Sequence, residues 1–338
     1  MYMDYQGKVG NAKQLGGIET SILDNGAGAG TRIAWIDTGS GFRYKVVIDR
    51  GMDIAEAIYN DCSIAWIGHI GVVKPQLLAN QGLNWLRTFG GGLLTTCGLD
   101  HVGGPESDEF GERGVHGQIS NLPAEIISIQ QPNIFTGDLS FSITGIIRQA
   151  KIFGPCLSLK RTISGKIGNP SILIEDEILN EGNQSSPIML LYHFNFGYPL
   201  LNKGSQIDYT GEAYVRSGHE FLINPTALKN VPDPNPLHNG TGESVVVVDV
   251  SKISQSMAKC SLWNPEKKIG VTLEWDKSQL PFMSNWQHFA KNEYVTGLEP
   301  GTHPPIGQSN ARKEGSLQFL EPNEKKVFKI ELKIITNP

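Results

Sequence analysis

The feature that most constrains this chain is the recurrence of short β-rich runs, each closed by Gly, Pro, Asn, Asp or Ser. They include "TRIAWIDTG", "YKVVIDRGMDIAEAIY", "AEIISIQ", "LSFSITGIIRQA", "LSLKRTISG", "SILIEDEILNEG", "SVVVVDVS", "IGVTLEWD", "EYVTGLEP" and "KVFKIELKIIT". Strand-sized runs between turn residues are the pattern of an all-β fold. Side chains alternate between the two faces of a strand. "SILIEDEILNEG" therefore sends Ile172, Ile174, Asp176 and Ile178 one way and Leu173, Glu175, Glu177 and Leu179 the other. No internal repeat, heptad or low-complexity linker divides the 338 residues. We expect one domain over residues 1–338, a large antiparallel β-sandwich. One short helix is expected over residues 75–86, "PQLLANQGLNWL", and "NGAGAGT" at 25–31 reads as a hairpin turn. "NVPDPNPLHNG" (230–240) and "PGTHPPIG" (300–307) read as long loops, where function often sits.

Composition narrows the partners. Net charge is −5 and no stripe of Lys or Arg offers a nucleic-acid footprint. No basic n-region followed by an apolar stretch opens the sequence, and no apolar run is long enough to span a membrane. Those absences lead us to expect a cytoplasmic protein without membrane attachment. Cys62, Cys97, Cys156 and Cys260 are widely spaced and form no CxxC pair, so reduced, mostly buried thiols are expected. Exposed sheet edges would allow a homodimer.

Within this β pattern, "PIMLLYHFNFGYPLL" (187–201) holds two polar residues mid-strand. Leu190, Tyr192, Phe194 and Phe196 share an aromatic core face, leaving Leu191, His193, Asn195 and Gly197 on the other. A buried imidazole must find hydrogen-bond partners or line a wet cleft, and this stretch alone leaves both readings open. The other histidines that stand beside turn residues, His69, His101, His219, His238, His288 and His303, read as solvated or locally bonded. His116, between Gly114 and Gly117, is a weak signal, as is Glu299 at a strand end before a Pro-rich loop. The glycine run at 87–104 lacks the GK[ST] of a phosphate loop and the βαβ setting of a dinucleotide fingerprint. It reads as a place where the chain passes close to a ligand or a neighbouring strand. His101, Glu106, His116 and His193 are conceivable metal ligands, but their spacing fits no recognised signature, so no metal is expected.

Taken together, these segments resemble a known family. "LIEDEILNEGNQSSPIMLLYHFNFGYPLL" is similar to the central segment of the aldose 1-epimerase (galactose mutarotase-like) superfamily. There, a strand ending in an N-x-G turn precedes one that carries the catalytic His. "VHGQISNLPAEI" resembles its upstream His-Gly motif, "GLEPGTHPP" its glutamate segment, and "EGSLQFLEPNEKKVFKIELKI" its closing pattern. The pieces run in order over roughly residues 30–338, whole-domain scale. "IDRGMDIAEAIY", "WLRTFGGGLLTTCGL" and "VHGQISN" look like an uncharacterised (DUF4432-like) branch rather than the sugar mutarotases proper.

The resemblance implies a sugar cleft lined by the polar face around His193, with His193 as general acid and Glu299 as general base. By the same carry-over His116, Arg87, Asn195 and Trp286 bind substrate, and no cofactor takes part. The family's sugar-binding carboxylate between residues 200 and 285 has no clear counterpart; Asp233 and Asp249 are both open. A cofactor-free sugar epimerase acting on a small carbohydrate is the expected function. Two alternatives stay open: an isomerase, epimerase or lyase on a modified sugar, and a non-catalytic carbohydrate-binding protein. An anionic sugar would call for basic residues at the cleft, with Arg87, Arg113, Lys291 and Arg312 as candidates.

Overall fold

The computed structural model describes residues 5–216 and 228–337; His219 lies outside them. Among the described residues, strands form a twelve-stranded sheet, an eight-stranded sheet and a small two-stranded hairpin, with every paired strand antiparallel. The expected β-sandwich is the observed fold. The alternation in "SILIEDEILNEG" is realised in strand Ser171–Asn180, whose residues alternate between half-buried and buried throughout. Its buried row packs with Leu159, Leu273 and Phe328 of the smaller sheet against Tyr44, Tyr192, Phe194 and Leu298 of the larger, in one shared core.

The strand Ser186–Gly197 lies at the centre of the larger sheet, between Leu94–Leu99 and Glu293–Gly301. Leu190, Tyr192, Phe194 and Phe196 enter the inter-sheet core, as alternation requires. On the other face Met189 and Leu191 join a smaller cluster with Trp85, Cys97 and Val115. The outer face of this strand is thus covered by loops that leave space around His193.

The helix expected over 75–86 does not form. Two 3-10 turns, Leu77–Asn80 and Asn84–Arg87, take its place. Gly82 between them adopts φ +50°, which ends helical hydrogen bonding, and Asn80 and Asn84 contribute poor helix propensity. Among the described residues the α-helix that does form is Gln308–Lys313. Residues 25–31 make the expected hairpin connection, a 3-10 turn between the paired strands Gly17–Ile22 and Arg32–Asp37. The glycine run is a site of close backbone approach. A Cβ on Gly90 would lie 1.8 Å from the Gly71 carbonyl oxygen, and one on Gly91 would lie 2.6 Å from the Trp66 ring. All four cysteines are unpaired, with Cys62, Cys97 and Cys260 buried. Among the described residues no helix is long and apolar enough to cross a membrane.

Candidate active site

The pairs Leu191–Gly301 and Phe194–Leu298 bracket His193 and Glu299 in the register of two neighbouring antiparallel strands. Residues directly opposite in such a ladder project from the same face with their side chains close. That is why two groups more than a hundred residues apart meet: His193 Nε2 lies 3.2 Å from Glu299 Oε1. Gly297 makes room for the carboxylate, because a Cβ there would stand 2.2 Å from Glu299 Oε1.

Both groups are almost wholly buried at the floor of a cleft of about 1060 Å³. The distance suits an ion pair, yet Glu299 Oε1 has no aligned hydrogen-bond partner and neither does His193 Nδ1. Burial pushes the Glu299 carboxyl well above its ordinary range, with the nearby Glu243 adding to the rise and Arg216 opposing it. Burial also lowers His193 to about 4, against smaller opposing effects of the Asn195 carboxamide and of its own carbonyl. Burial thus disfavours charge on both members and favours a protonated carboxyl beside a neutral imidazole.

Aromatic rings surround this pair. Phe89 and Trp286 stand 5.3 and 5.4 Å from the His193 ring, and His116 meets it edge-on at 6.0 Å. His116 has a left-handed backbone (φ +56°), followed by Gly117 in the same region, so the chain turns sharply at the His-Gly motif. Burial lowers its pKa well below the ordinary value. Its Nδ1 is buried without a partner, a vacant hydrogen-bonding position in the cleft wall.

His116, His193, Trp286 and Glu299 thus come together, while Arg87 and Asn195 do not join the cleft wall. Arg87 is exposed at the end of the second 3-10 turn. Asn195 is fully buried; it donates to the carbonyls of Gly92 (3.1 Å) and His193 (2.9 Å), and its Oδ1 has no partner. It ties the His193 strand to the glycine run.

Sequence reasoning missed Glu243 and Arg216. Trp286 Nε1 donates to Glu243 Oε2 at 2.8 Å, and Arg216 Nη2 donates to Glu243 Oε1 at 2.7 Å. The available signal was the one that flagged Glu299, a carboxylate at the end of a strand, here just before Ser244–Asp249. That strand pairs with Phe282–Ala290, placing Val245 opposite Trp286. Asp233 and Asp249 are engaged elsewhere, with Lys203 and with Ser251 respectively.

The remaining histidines mostly follow expectation. His101 bonds Gly104 O and the Gln308 amide, His238 bonds Ser244 and the Phe289 amide, and His303 bonds Thr302 and Ser316 O. His69 is largely exposed; His288 is bonded locally, to Gly242 O and Glu293, yet also lines the cleft. Among the described residues no three His, Cys, Asp or Glu side chains gather as a metal site. Of the basic candidates, Arg113 is held by Glu106 and Asp108, and Arg312 stacks on Phe110. Neither these nor Lys291 lines the cleft.

A family profile described as a domain of unknown function, DUF4432, matches residues 28–334. The chain belongs to the DUF4432 family. No curated protein matches it. Among solved structures, a candidate aldose 1-epimerase from Klebsiella pneumoniae superposes with a TM-score of 0.84 at 20% identity, covering 95% of this chain and 83% of that one. A galactose mutarotase-like protein from Clostridium acetobutylicum gives 0.65 at 13% identity, covering 94% and 98%. Galactose 1-epimerase from Lactobacillus acidophilus gives 0.60 at 11% identity, covering 95% and 99%. The DUF4432 protein therefore has the galactose mutarotase-like fold.

Proposed function

We propose that this DUF4432 protein is a cofactor-free sugar epimerase that interconverts anomers by acid–base ring opening. The observation that carries the reading is the buried His193–Glu299 pair, one carboxyl and one imidazole with oppositely displaced pKa values sharing a cleft floor. Enzymes that need an acid and a base together set such groups apart by environment.

Glu299 takes the proton of the anomeric hydroxyl while His193 gives one to the ring oxygen. The bond from the anomeric carbon to the ring oxygen breaks and an open aldehyde forms. Rotation about the adjacent carbon–carbon bond and reclosure on the other face, with the two groups in exchanged roles, yields the other anomer. The carboxylate–imidazolium arrangement this needs is a tautomer of the resting pair, reached by moving one proton across the 3.2 Å gap. No net proton enters or leaves. His116 offers its unpartnered Nδ1 to a sugar hydroxyl, and Trp286 offers a ring face. Glu243 takes the place of the sugar-binding carboxylate, and the substrate-binding role that the resemblance implied for Arg87 passes to Arg216, which bonds Glu243. Asn195 acts from beneath, orienting the His193 strand.

Proton NMR of freshly dissolved aldoses, keto-sugars and uronic acids tests this reading. Faster α/β exchange of at least one neutral aldose, without net conversion, is expected. No acceleration anywhere in the panel overturns it, and deuterium entering a carbon-bound position replaces it with the isomerase reading.

The pair also sets a pH profile. Activity requires the one-proton state, so the rate should fall as pH drops through about 4, where His193 gains a second proton for the pair. It should fall again as pH rises through the elevated value of Glu299. Glu243→Gln removes a charge that raises Glu299, so it should move the alkaline limb to lower pH and leave the acid limb in place. An alkaline limb that stays put in this variant separates Glu299 from that limb.

A further inference from the structure

We infer that a second, smaller cavity behind the Phe89 wall of the cleft is a binding site for a small neutral polyol, held between Arg50 and Asp53. The site stands apart from the cleft and does not depend on the function read from His193 and Glu299. Phe89 faces the cleft, whereas Thr88, Gly90 and Gly91 line a cavity of about 70 Å³ on the other side of the same strip. Thr95, also on its wall, is paired with His193 in the neighbouring strand. An occupant therefore lies against the back of the segment that holds Phe89 5.3 Å from the His193 ring.

Two buried side chains bring unspent hydrogen-bonding capacity to this space. Arg50 is 8% exposed and Asp53 6%, and both line the cavity. Arg50 donates to the carbonyls of Ser120, Val73 (3.3 Å) and Thr88 (3.1 Å). Those bonds do not exhaust the donors of a guanidinium, and all its acceptors here are neutral. Asp53 takes its hydrogen bonds on Oδ1, from the Thr96 amide (3.0 Å), the Thr96 hydroxyl (2.6 Å) and Arg161 (3.2 Å). Its Oδ2 is left to accept from an occupant. One small space thus meets donors from one buried group and an acceptor from another.

Size and wall chemistry select what fills it. At about 10–15 Å³ for each water, a cavity of about 70 Å³ takes about five. Each buried water needs several polar partners, and the side chains of Val47, Ile67, Val72, Val73 and Leu94 supply none. A triol the size of glycerol occupies the same space and suits both kinds of wall. Its C–H faces lie on the apolar side chains, while adjacent hydroxyls donate to Asp53 Oδ2 and accept from Arg50.

Charge completes the class. Arg50 and Asp53 offset one another on the wall, and the remaining acid there, Glu56, is paired with Lys45. An anion would meet the two carboxylates, and a cation would meet the buried guanidinium. The occupant is therefore uncharged and rich in hydroxyls.

Titration of the full chain with glycerol and erythritol, read by saturation-transfer NMR, tests the site. Propan-1-ol is the control for adjacent hydroxyls, and acetate and ethylammonium are the controls for charge. Glycerol or erythritol should bind saturably and more tightly than any control. Asp53→Asn should raise the Kd about ten-fold, the worth of one hydrogen bond to a charged group. Ala55→Leu leaves both polar groups in place and fills the space from its wall, so it should abolish saturable binding while the melting temperature holds. Saturable binding that survives Ala55→Leu puts the polyol elsewhere and overturns the site, as does the absence of saturable binding in the wild type. An unchanged Kd in a folded Asp53→Asn variant removes Asp53 from the site. Tighter binding of acetate or ethylammonium overturns the neutral class, and propan-1-ol binding as tightly as glycerol overturns recognition through adjacent hydroxyls.

Discussion

Glu299→Gln and His193→Ala are each expected to slow anomer exchange by about 10²–10⁴-fold, the contribution of one positioned proton-transfer group. The two losses should not add. Once one member of the pair is gone, the sugar has no coupled donor and acceptor, and removing the second costs little more. Stability should move the other way. Glu299 is buried with an unpartnered Oε1, and burial already favours its neutral form. A neutral carboxamide of the same shape removes a buried ionisable group without opening a cavity, so the melting temperature should hold or rise. Stopped exchange with a retained fold is the combination a catalytic pair produces and a structural pair does not. Wild-type exchange in a well-folded double variant sinks the assignment.

That pair was the most legible part of the site, for a reason that lies in the ladder. A polar residue in mid-strand between aromatic neighbours, such as His193, conflicts with its local pattern, and such conflicts concentrate at functional sites. Glu299 shows the same conflict at the end of "EYVTGLE". Their partnership is not local, since it depends on the register of two strands a hundred residues apart. Glu243 and Arg216 were harder to read. Each stands at the end of a short strand in ordinary polar company, and each matters only because Trp286 lies next door in space. Asn195 shows the converse error: alternation put it on the polar face correctly, but adjacent cover from Gly92 closes it off from the cleft.

For the fold, period-two alternation was reliable wherever both faces had something to meet. The helical reading of 75–86 failed within the irregular cover of residues 64–92, where packing against Trp66 and a run of glycines overrides local propensity. The stretch 75–86 has the apolar content of a helix but bends around the cleft mouth instead, leaving Leu83 and Leu86 exposed at its rim.

The same alternation that exposed His193 sends Tyr192 inward, and there the largest stability effect is expected. Arg161, fully buried, donates to Asp176 at 2.9 and 2.7 Å, to Asp53 at 3.2 Å, to Thr96 at 2.8 Å and to Gly51 O at 3.1 Å. Tyr192 completes the cluster with a 2.7 Å bond to Asp176 Oδ2. Arg161 and Asp176 belong to the smaller sheet, whereas Asp53, Thr96 and Tyr192 belong to the larger. The guanidinium therefore fastens the two layers directly beneath the His193 strand. Arg161→Met keeps the volume but strands two carboxylates in the core, and should cost about 3–5 kcal/mol, the penalty for breaking a buried pair from one side. The loss should depend on pH. Burial raises Asp53 to about 6 even with Arg161 in place. The native state thus binds more protons than the unfolded state above the ordinary Asp range, and stability falls as pH rises through that window. Without the guanidinium, which lowers the Asp53 value, the window extends upward. Urea unfolding at pH 5 and pH 7.5 should show the variant closer to wild type at the lower pH, where protonation neutralises the stranded Asp53. An equal deficit at both values would mean that lost packing, rather than stranded charge, is what Arg161 prevents.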